Sequence, residues 1–248
     1  MGENPKSVYI VGSAGLDNLR RNDLAKRDEL ENFLNLKLKH PLVIVTLHPT
    51  TLGPKGSQDE CRALLSAMNQ FDATYVITLP NNDPGSQIIR LMQMDFVKSH
   101  AKSVTTAALG ERRYLGLLNM ADVLIGNSSS GIIEAPLIKK PVVNIGDRQK
   151  GRKKSTNIID TPPTAEKILS SIKIALSKSH KIKVKNCPSF YGDGFSSSRI
   201  AGILRLWRPP KSPRKSFYGI QGVDYHIIPD HQFKTSYAGE NISSKKMS

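Results

Sequence analysis

A chain of 248 residues, 38% hydrophobic and 23% charged, can form one large domain or two small ones with a real core. No apolar run approaches the roughly 20 residues needed to cross a bilayer, so no membrane span is expected. The formal charge of +15 is dispersed along the chain without RNA-binding aromatic motifs, which favours an anionic small ligand and a lysine-rich surface over nucleic acid.

The chain opens Met1-Gly2-Glu3-Asn4-Pro5-Lys6, without the apolar core of a signal peptide. Lys6 also stands where the myristoylation pattern wants Ser or Thr, so a cytoplasmic location is expected. Val8 to Val11 reads as a strand ending in the turn Gly12 to Gly15, and helical spacing follows from Leu16 to about Leu36. Pro41 to Leu47 is a second strand, running into His48-Pro49-Thr50-Thr51. Asp59 to Asn69 has helical spacing, and Thr74 to Leu79 is a third strand followed by the turn-rich loop Pro80 to Gly85. Ser86 to Lys98 reads as a helix, Val104 to Leu109 as a weaker strand, and Arg113 to Met120 as another helix. Ala121 to Ile125 is a buried strand, and Gly131 to Ile138 has the spacing of a helix start. Strand Pro141 to Ile145, an extended piece at Asn157 to Ile159 and a helix from Thr164 to about Ser177 complete the pattern. Beyond Trp207 it stops, and Arg208 to Ser216 is a Pro-rich basic linker into a tail without periodicity. The domain expected is therefore 1–207, with 208–248 a linker and mobile tail.

Continuous Val/Ile/Leu strands separated by helices predict an α/β fold: a Rossmann-like parallel sheet with helices on both faces. Ligands of such sheets sit beyond the carboxyl ends of the strands. The polar clusters Gly12-Ser13, His48 to Thr50, Asn81 to Asp83, Gly126 to Ser130 and Gly146 to Gln149 all follow strands, which points to one shared site.

The stretch Gly126-Asn127-Ser128-Ser129-Ser130-Gly131 is the most informative of them. A small-residue turn entering a helix offers backbone amides, hydroxyls and the positive end of the helix dipole, which suits a phosphate. Glu134 would repel a phosphate but can grip a neutral diol such as a ribose with two hydrogen bonds. Phosphate plus ribose means nucleotide; an ordinary capped strand-to-helix turn is the alternative on spacing alone. Cys61 and Cys187 are distant and lack His neighbours at ligand spacing, so neither disulfide nor metal is expected, and no cofactor is implied.

Six ordered pieces resemble the C-terminal, nucleotide-binding domain of UDP-N-acetylglucosamine 2-epimerases, notably the hydrolysing branch that feeds sialic-acid-type sugar biosynthesis. They are Val11 to Asp17, Thr46 to Thr51, Pro80 to Gly85, Ile125 to Pro136, Pro141 to Arg152 and Tyr191 to Gly194. The resemblance implies one half of a GT-B-type enzyme, two facing Rossmann-like domains with the active site between them. It implies UDP or a UDP-N-acetylhexosamine as ligand. His48 resembles the catalytic histidine that contacts the diphosphate and the departing UDP oxygen. Ser128 and Ser129 resemble the serines that hold the diphosphate, and Glu134 the carboxylate on the ribose hydroxyls. Arg148 resembles the arginine near sugar and phosphate, and Asn81 a loop contact whose rival role is turn formation. Leu109 and Gly110 stand where the family makes main-chain contacts to uracil; Ala108 replaces a histidine of some members, which loosens the base assignment.

Family enzymes draw the acid and base for the sugar's second carbon from the N-terminal domain, and no counterpart of it is recognised in this sequence. The activity implied is elimination and re-addition of UDP with inversion at that carbon, incomplete without an N-terminal half supplied by another chain. The competing functions are a non-catalytic nucleotide-sugar-binding module and the donor-binding subunit of a GT-B glycosyltransferase. Self-association into a homo-oligomer is left open.

Overall fold

The computed structural model describes residues 3–50, 56–209, 214 and 218. Two compact units are distinguished: Ile10–Trp207, and a second made of residues 1–9 with 208–248. In the second, the described residues include one 3-10 turn, Pro5–Ser7, whose Lys6 amide donates to Asn4 Oδ1 at 2.9 Å. The expected mobile tail lies outside the described residues, apart from a few positions at its start.

The larger unit is built on six parallel strands: β1 (Leu42–Thr46), β2 (Thr74–Thr78), β3 (Ser103–Thr106), β4 (Val123–Gly126), β5 (Val142–Ile145) and β6 (Ile158–Thr161). Their order is β3-β2-β1-β4-β5-β6, each neighbouring pair parallel. The helices are α1 (Arg27–Leu34), α2 (Ser57–Asn69), α3 (Ser86–Lys98), α4 (Gly110–Met120), α5 (Ser130–Leu137), α6 (Ala165–Leu176), α7 (Lys178–Lys185) and α8 (Ser196–Leu206). Alternate residues of one strand serve opposite faces. Val43, Val45, Ile77, Ile125 and Val143 point into a core closed by α2, α3 and α6. Leu42, Ile44, Val76, Leu124 and Val142 point into a second core closed by α1 and α4. A sheet covered on both faces explains the nearly continuous apolar runs of β1 and β4 at its centre.

The strand order reverses between β1 and β4, and Thr46 pairs with Gly126 at their carboxyl ends. The loops that follow, from Leu47 and from Asn127, therefore emerge side by side at the switch point, where ligands of open parallel sheets bind. Gly126 makes this approach possible. Its φ is +132°, and a Cβ there would overlap the Thr46 carbonyl.

Two expectations are corrected. No strand forms over Val8–Val11; Val8, Tyr9 and Ile10 are exposed, Ile10 by 98%. Further along, the Val11 carbonyl takes an Arg199 guanidinium hydrogen and the Ser13 amide donates to the Tyr191 carbonyl, so side chain and loop replace a strand neighbour. The helix expected over 16–36 splits into a 3-10 stretch, Ala14–Arg20, and α1. Between them Ala25 is buried and its amide donates to the Arg112 carbonyl, a bond that a continuous helix would forbid. Helices α7 and α8 were not foreseen. No described helix is long and apolar enough to cross a membrane.

Gly126→Ala is expected to cost about 2 kcal/mol or more, from positive φ and overlap with Thr46 together. Urea denaturation of parent and variant measures it; an unchanged midpoint would mean that the two strand ends separate freely.

Candidate nucleotide-binding site

The serine turn leaves β4 and enters α5 within four residues. The Ser130 amide donates to Ser128 Oγ at 3.3 Å, and the amides of Gly131 and Ile132 donate to the Ser128 and Ser129 carbonyls. The amides of Ser128 and Ser129 find no acceptor among the described residues. Two free amides, two half-buried hydroxyls and a helix N-terminus converge there, which suits an anion with several oxygens.

Asn127, fully buried, ties this turn to the rest of the site. Its amide donates to the Thr46 carbonyl at 3.0 Å. Its side chain grips the His48 backbone twice: Oδ1 accepts the His48 amide at 2.8 Å, and Nδ2 donates to the His48 carbonyl at 2.9 Å. Its carbonyl accepts from the Arg148 guanidinium at 3.1 Å and from Gln149 Nε2 at 2.8 Å. The loops after β1, β4 and β5 thus meet on one residue. The loop after β2 joins through His48, whose Nδ1 accepts the Asn81 amide at 3.3 Å. In the neutral ring the proton then resides on Nε2, making that atom a donor. Burial, and next the Arg148 charge, depress the His48 pKa below the usual histidine value. A neutral donor at neutral pH is the consequence. Asn81 turns its own carboxamide onto Asp83, so its turn-forming role is visible as well.

Beside the serine turn lies a cleft of about 420 Å³. Leu109, Gly110, Ser128, Ser129 and Glu134 line it, with Tyr114 among their neighbours. His48, Asn81 and Arg148 are not among the lining residues; they stand next door, through Asn127. Leu109 is buried and leads into α4, while Gly110 is exposed with φ at +69°. Glu134 Oε2 is buried without a hydrogen-bond partner among the described residues, and burial pushes its pKa up. A buried carboxylate oxygen left unpaired costs stability unless a ligand supplies the donor.

Three contributors were not singled out from sequence. Asn127 and Gln149 lay inside quoted motifs, and a buried amide flanking a strand end is a signal that could have been read. Tyr114 carried none; its place in the site follows from the packing of α4 against the turn.

Strand order, switch-point loops, free turn amides and an unpaired carboxylate define a Rossmann-like domain whose site fits a nucleoside diphosphate. Residues 1–205 match the UDP-N-acetylglucosamine 2-epimerase family model, and the chain belongs to that family. It is 37% identical over 163 residues to the GDP/UDP-N,N'-diacetylbacillosamine 2-epimerase (hydrolyzing) of Campylobacter jejuni, covering 65% of this chain and 42% of that protein. It is 33% identical to the polysialic acid biosynthesis protein P7 of Escherichia coli, covering 93% of this chain and 57% of that protein. The S. aureus MnaA structure with UDP superposes with a TM-score of 0.62 at 15% identity, over 83% of this chain and 56% of that one. That likeness speaks for the fold alone: one Rossmann-like half of a GT-B-type arrangement. The chain spans about half the length of the curated relatives it matches.

Glu134→Gln tests the electrostatics of the cleft. An acid whose pKa is raised by folding loses stability as pH climbs from its ordinary value of 4.5 through the raised one. Parent and variant should therefore melt alike at pH 4, and the variant should melt higher at pH 8. Equal melting temperatures at both pH values would show that Glu134 is not penalised by its surroundings.

Proposed function

We propose that this chain is the nucleotide-binding half of a UDP-N-acetylhexosamine 2-epimerase of the hydrolysing type, working with a second half that supplies the proton-transfer groups. The single observation that carries the reading is the buried, unpaired Oε2 of Glu134, a residue that lines the same cleft as the serine turn. A carboxylate repels phosphate but accepts two hydroxyl hydrogens from a ribose, so its place one helix turn beyond an anion site selects a nucleotide. Leu109 and Gly110 line the same cleft and are assigned to the base, Ser128 and Ser129 to the diphosphate, and Arg148 and Asn81 to its sugar side.

In the reaction a base removes the proton from the second sugar carbon, and the C–H electrons form the C1–C2 double bond. The C1–O bond breaks, and UDP leaves with that electron pair. Water then adds at C1, and a proton returns to the opposite face of C2. His48 Nε2 donates a hydrogen bond to the departing oxygen, and Arg148 with the turn amides stabilises its charge. The carboxylates lining the cleft, Glu111 and Glu134, belong to its nucleoside end, which leaves the C2 proton to the second half. Self-association is compatible with this reading, and the likeness to the polysialic acid biosynthesis protein P7 supports a sugar product for sialic-acid-type biosynthesis.

Binding is the first test. UDP should bind the chain in roughly the micromolar-to-millimolar range, because half of the closing cleft is supplied elsewhere. Glu134→Ala should weaken UDP while sparing inorganic pyrophosphate, and the double change Ser128→Ala with Ser129→Ala should weaken both. Titration calorimetry reads each; variants that bind UDP like the parent would place the site elsewhere.

Catalysis is the second. The chain alone should not exchange the C2 proton of UDP-N-acetylglucosamine. Adding an N-terminal half from a hydrolysing relative should restore turnover, and His48→Ala should then lower it by roughly a hundred- to ten-thousand-fold. Deuterium from solvent appearing at C2 with the chain alone would show that it holds its own base.

A further inference from the structure

The strongest observation that this mechanism leaves unused is a chain of hydroxyls reaching from α4 to the unpaired carboxylate. Tyr114 OH donates to Ser130 Oγ at 2.6 Å, and Ser130 stands one turn before Glu134 on the same face of α5, where its hydroxyl favours the ionised carboxylate. Ser130 is buried, and its own amide is committed to Ser128 Oγ. With its oxygen accepting from Tyr114, the Ser130 proton is free for the neighbouring carboxylate. Burial pushes the Tyr114 phenol up to about 12, so it remains a donor throughout the working range.

We infer that Tyr114 is a positioning residue for ribose recognition: through Ser130 it orients one oxygen of Glu134 and leaves Oε2 open to a ribose hydroxyl. The inference rests on the nucleotide-binding reading above. It makes ribose affinity depend on a residue that need not touch the ligand, and it couples the base end of the cleft, on α4, to the sugar end, on α5. Elements packed against Glu134 bring few charges to bear. Glu111 of α4 opposes its ionisation. In the 3-10 stretch 14–20, Asp17 is turned to the Ser196 and Ser197 amides, and Arg20 to the Asp193 carbonyl. Strands β4 and β5, on which α5 also packs, carry no ionisable side chain. The favourable influences on the carboxylate are its own backbone amide and then the Ser130 hydroxyl, both in α5, and Tyr114 reaches it through the second of them.

The probe is UDP-N-acetylglucosamine, whose diphosphate is doubly esterified and does not titrate near neutrality, so a pH-dependent affinity reports the protein. In the parent, affinity should rise with pH as Glu134 ionises. Tyr114→Phe should move the midpoint of that rise upward and weaken binding at pH 7 by about fivefold, the worth of one ordinary hydrogen bond. Ser130→Ala should reproduce the shift, and it stands in if Tyr114→Phe fails to fold. Inorganic pyrophosphate should bind parent and variants alike. A merely structural tyrosine would lower affinity for both ligands without moving the midpoint, and that result, or an unmoved midpoint in either variant, overturns the inference alone. A parent that binds no UDP-N-acetylglucosamine overturns the nucleotide reading together with it.

Discussion

Two hydrogen bonds from one buried carboxamide hold His48 in place, and the rest of the site depends on them. Asn127 presents both of its polar atoms to the His48 backbone, amide and carbonyl together, at 2.8 and 2.9 Å. A carboxamide with both ends committed has one orientation, and it fixes the loop after β1 against the loop after β4. Its own carbonyl then receives Arg148 and Gln149 from the loop after β5. Loss of the side chain would leave two backbone groups of the half-buried His48 without their partner at once. A histidine, an arginine and the serine turn therefore share one rigid point, which is what pre-organised recognition of a diphosphate requires.

That point exists only because the backbones of β1 and β4 approach so closely. Gly126 removes the one atom that would prevent it, and the Thr46 to Gly126 register brings the Asn127 amide under the Thr46 carbonyl. The two cores on either side clamp the strands at this spacing, with Val45 and Ile125 on one face and Ile44 and Leu124 on the other. Packing thus sets the strand separation, the separation sets the position of Asn127, and Asn127 sets the histidine. The position of His48 is inherited from the apolar alternation of two strands.

Much of this was legible in the residues. Runs rich in Val, Ile and Leu marked β1, β2, β4 and β5 because a strand buried on both faces carries mostly apolar side chains, and a polar one there, such as Asn144, needs a partner such as Asp160. The same logic failed at Val8–Val11, an apolar run of the right length whose neighbours turned out to be Arg199 and a loop. Apolar character shows that a segment can be buried, and only a partner decides whether it is. Helix α8 was invisible for the complementary reason. Leu204 and Leu206 on it remain exposed, and its start is fixed by Asp17, about 180 residues away, accepting the Ser196 and Ser197 amides. Contacts of such sequence separation leave no periodic trace.

The site divides in the same way. Ser128, Ser129 and Glu134 stood out because a small-residue turn opening a helix suits a phosphate and a carboxylate one turn on suits a diol, whereas the roles of His48, Asn81 and Arg148 rested on resemblance. Leu109 and Gly110 were reached only by resemblance, and the structure puts them on the cleft wall as the start of α4. Tyr114 could not be found by either route, since a tyrosine one turn into a helix is an ordinary core residue until Ser130 is placed beneath it. Recognition of a flexible nucleotide needs a carboxylate held in one rotamer, and a carboxylate cannot hold itself: half-buried and uncompensated, it drifts towards its protonated form. Something must favour the charge without occupying the oxygen that the ligand will use. A hydroxyl relay anchored on a second helix does this, because a neutral donor supports the anion from one side without competing for the ligand as a cation would. On the proposed reading of the cleft, nucleotide specificity depends on the helix behind the turn as well as on the turn itself.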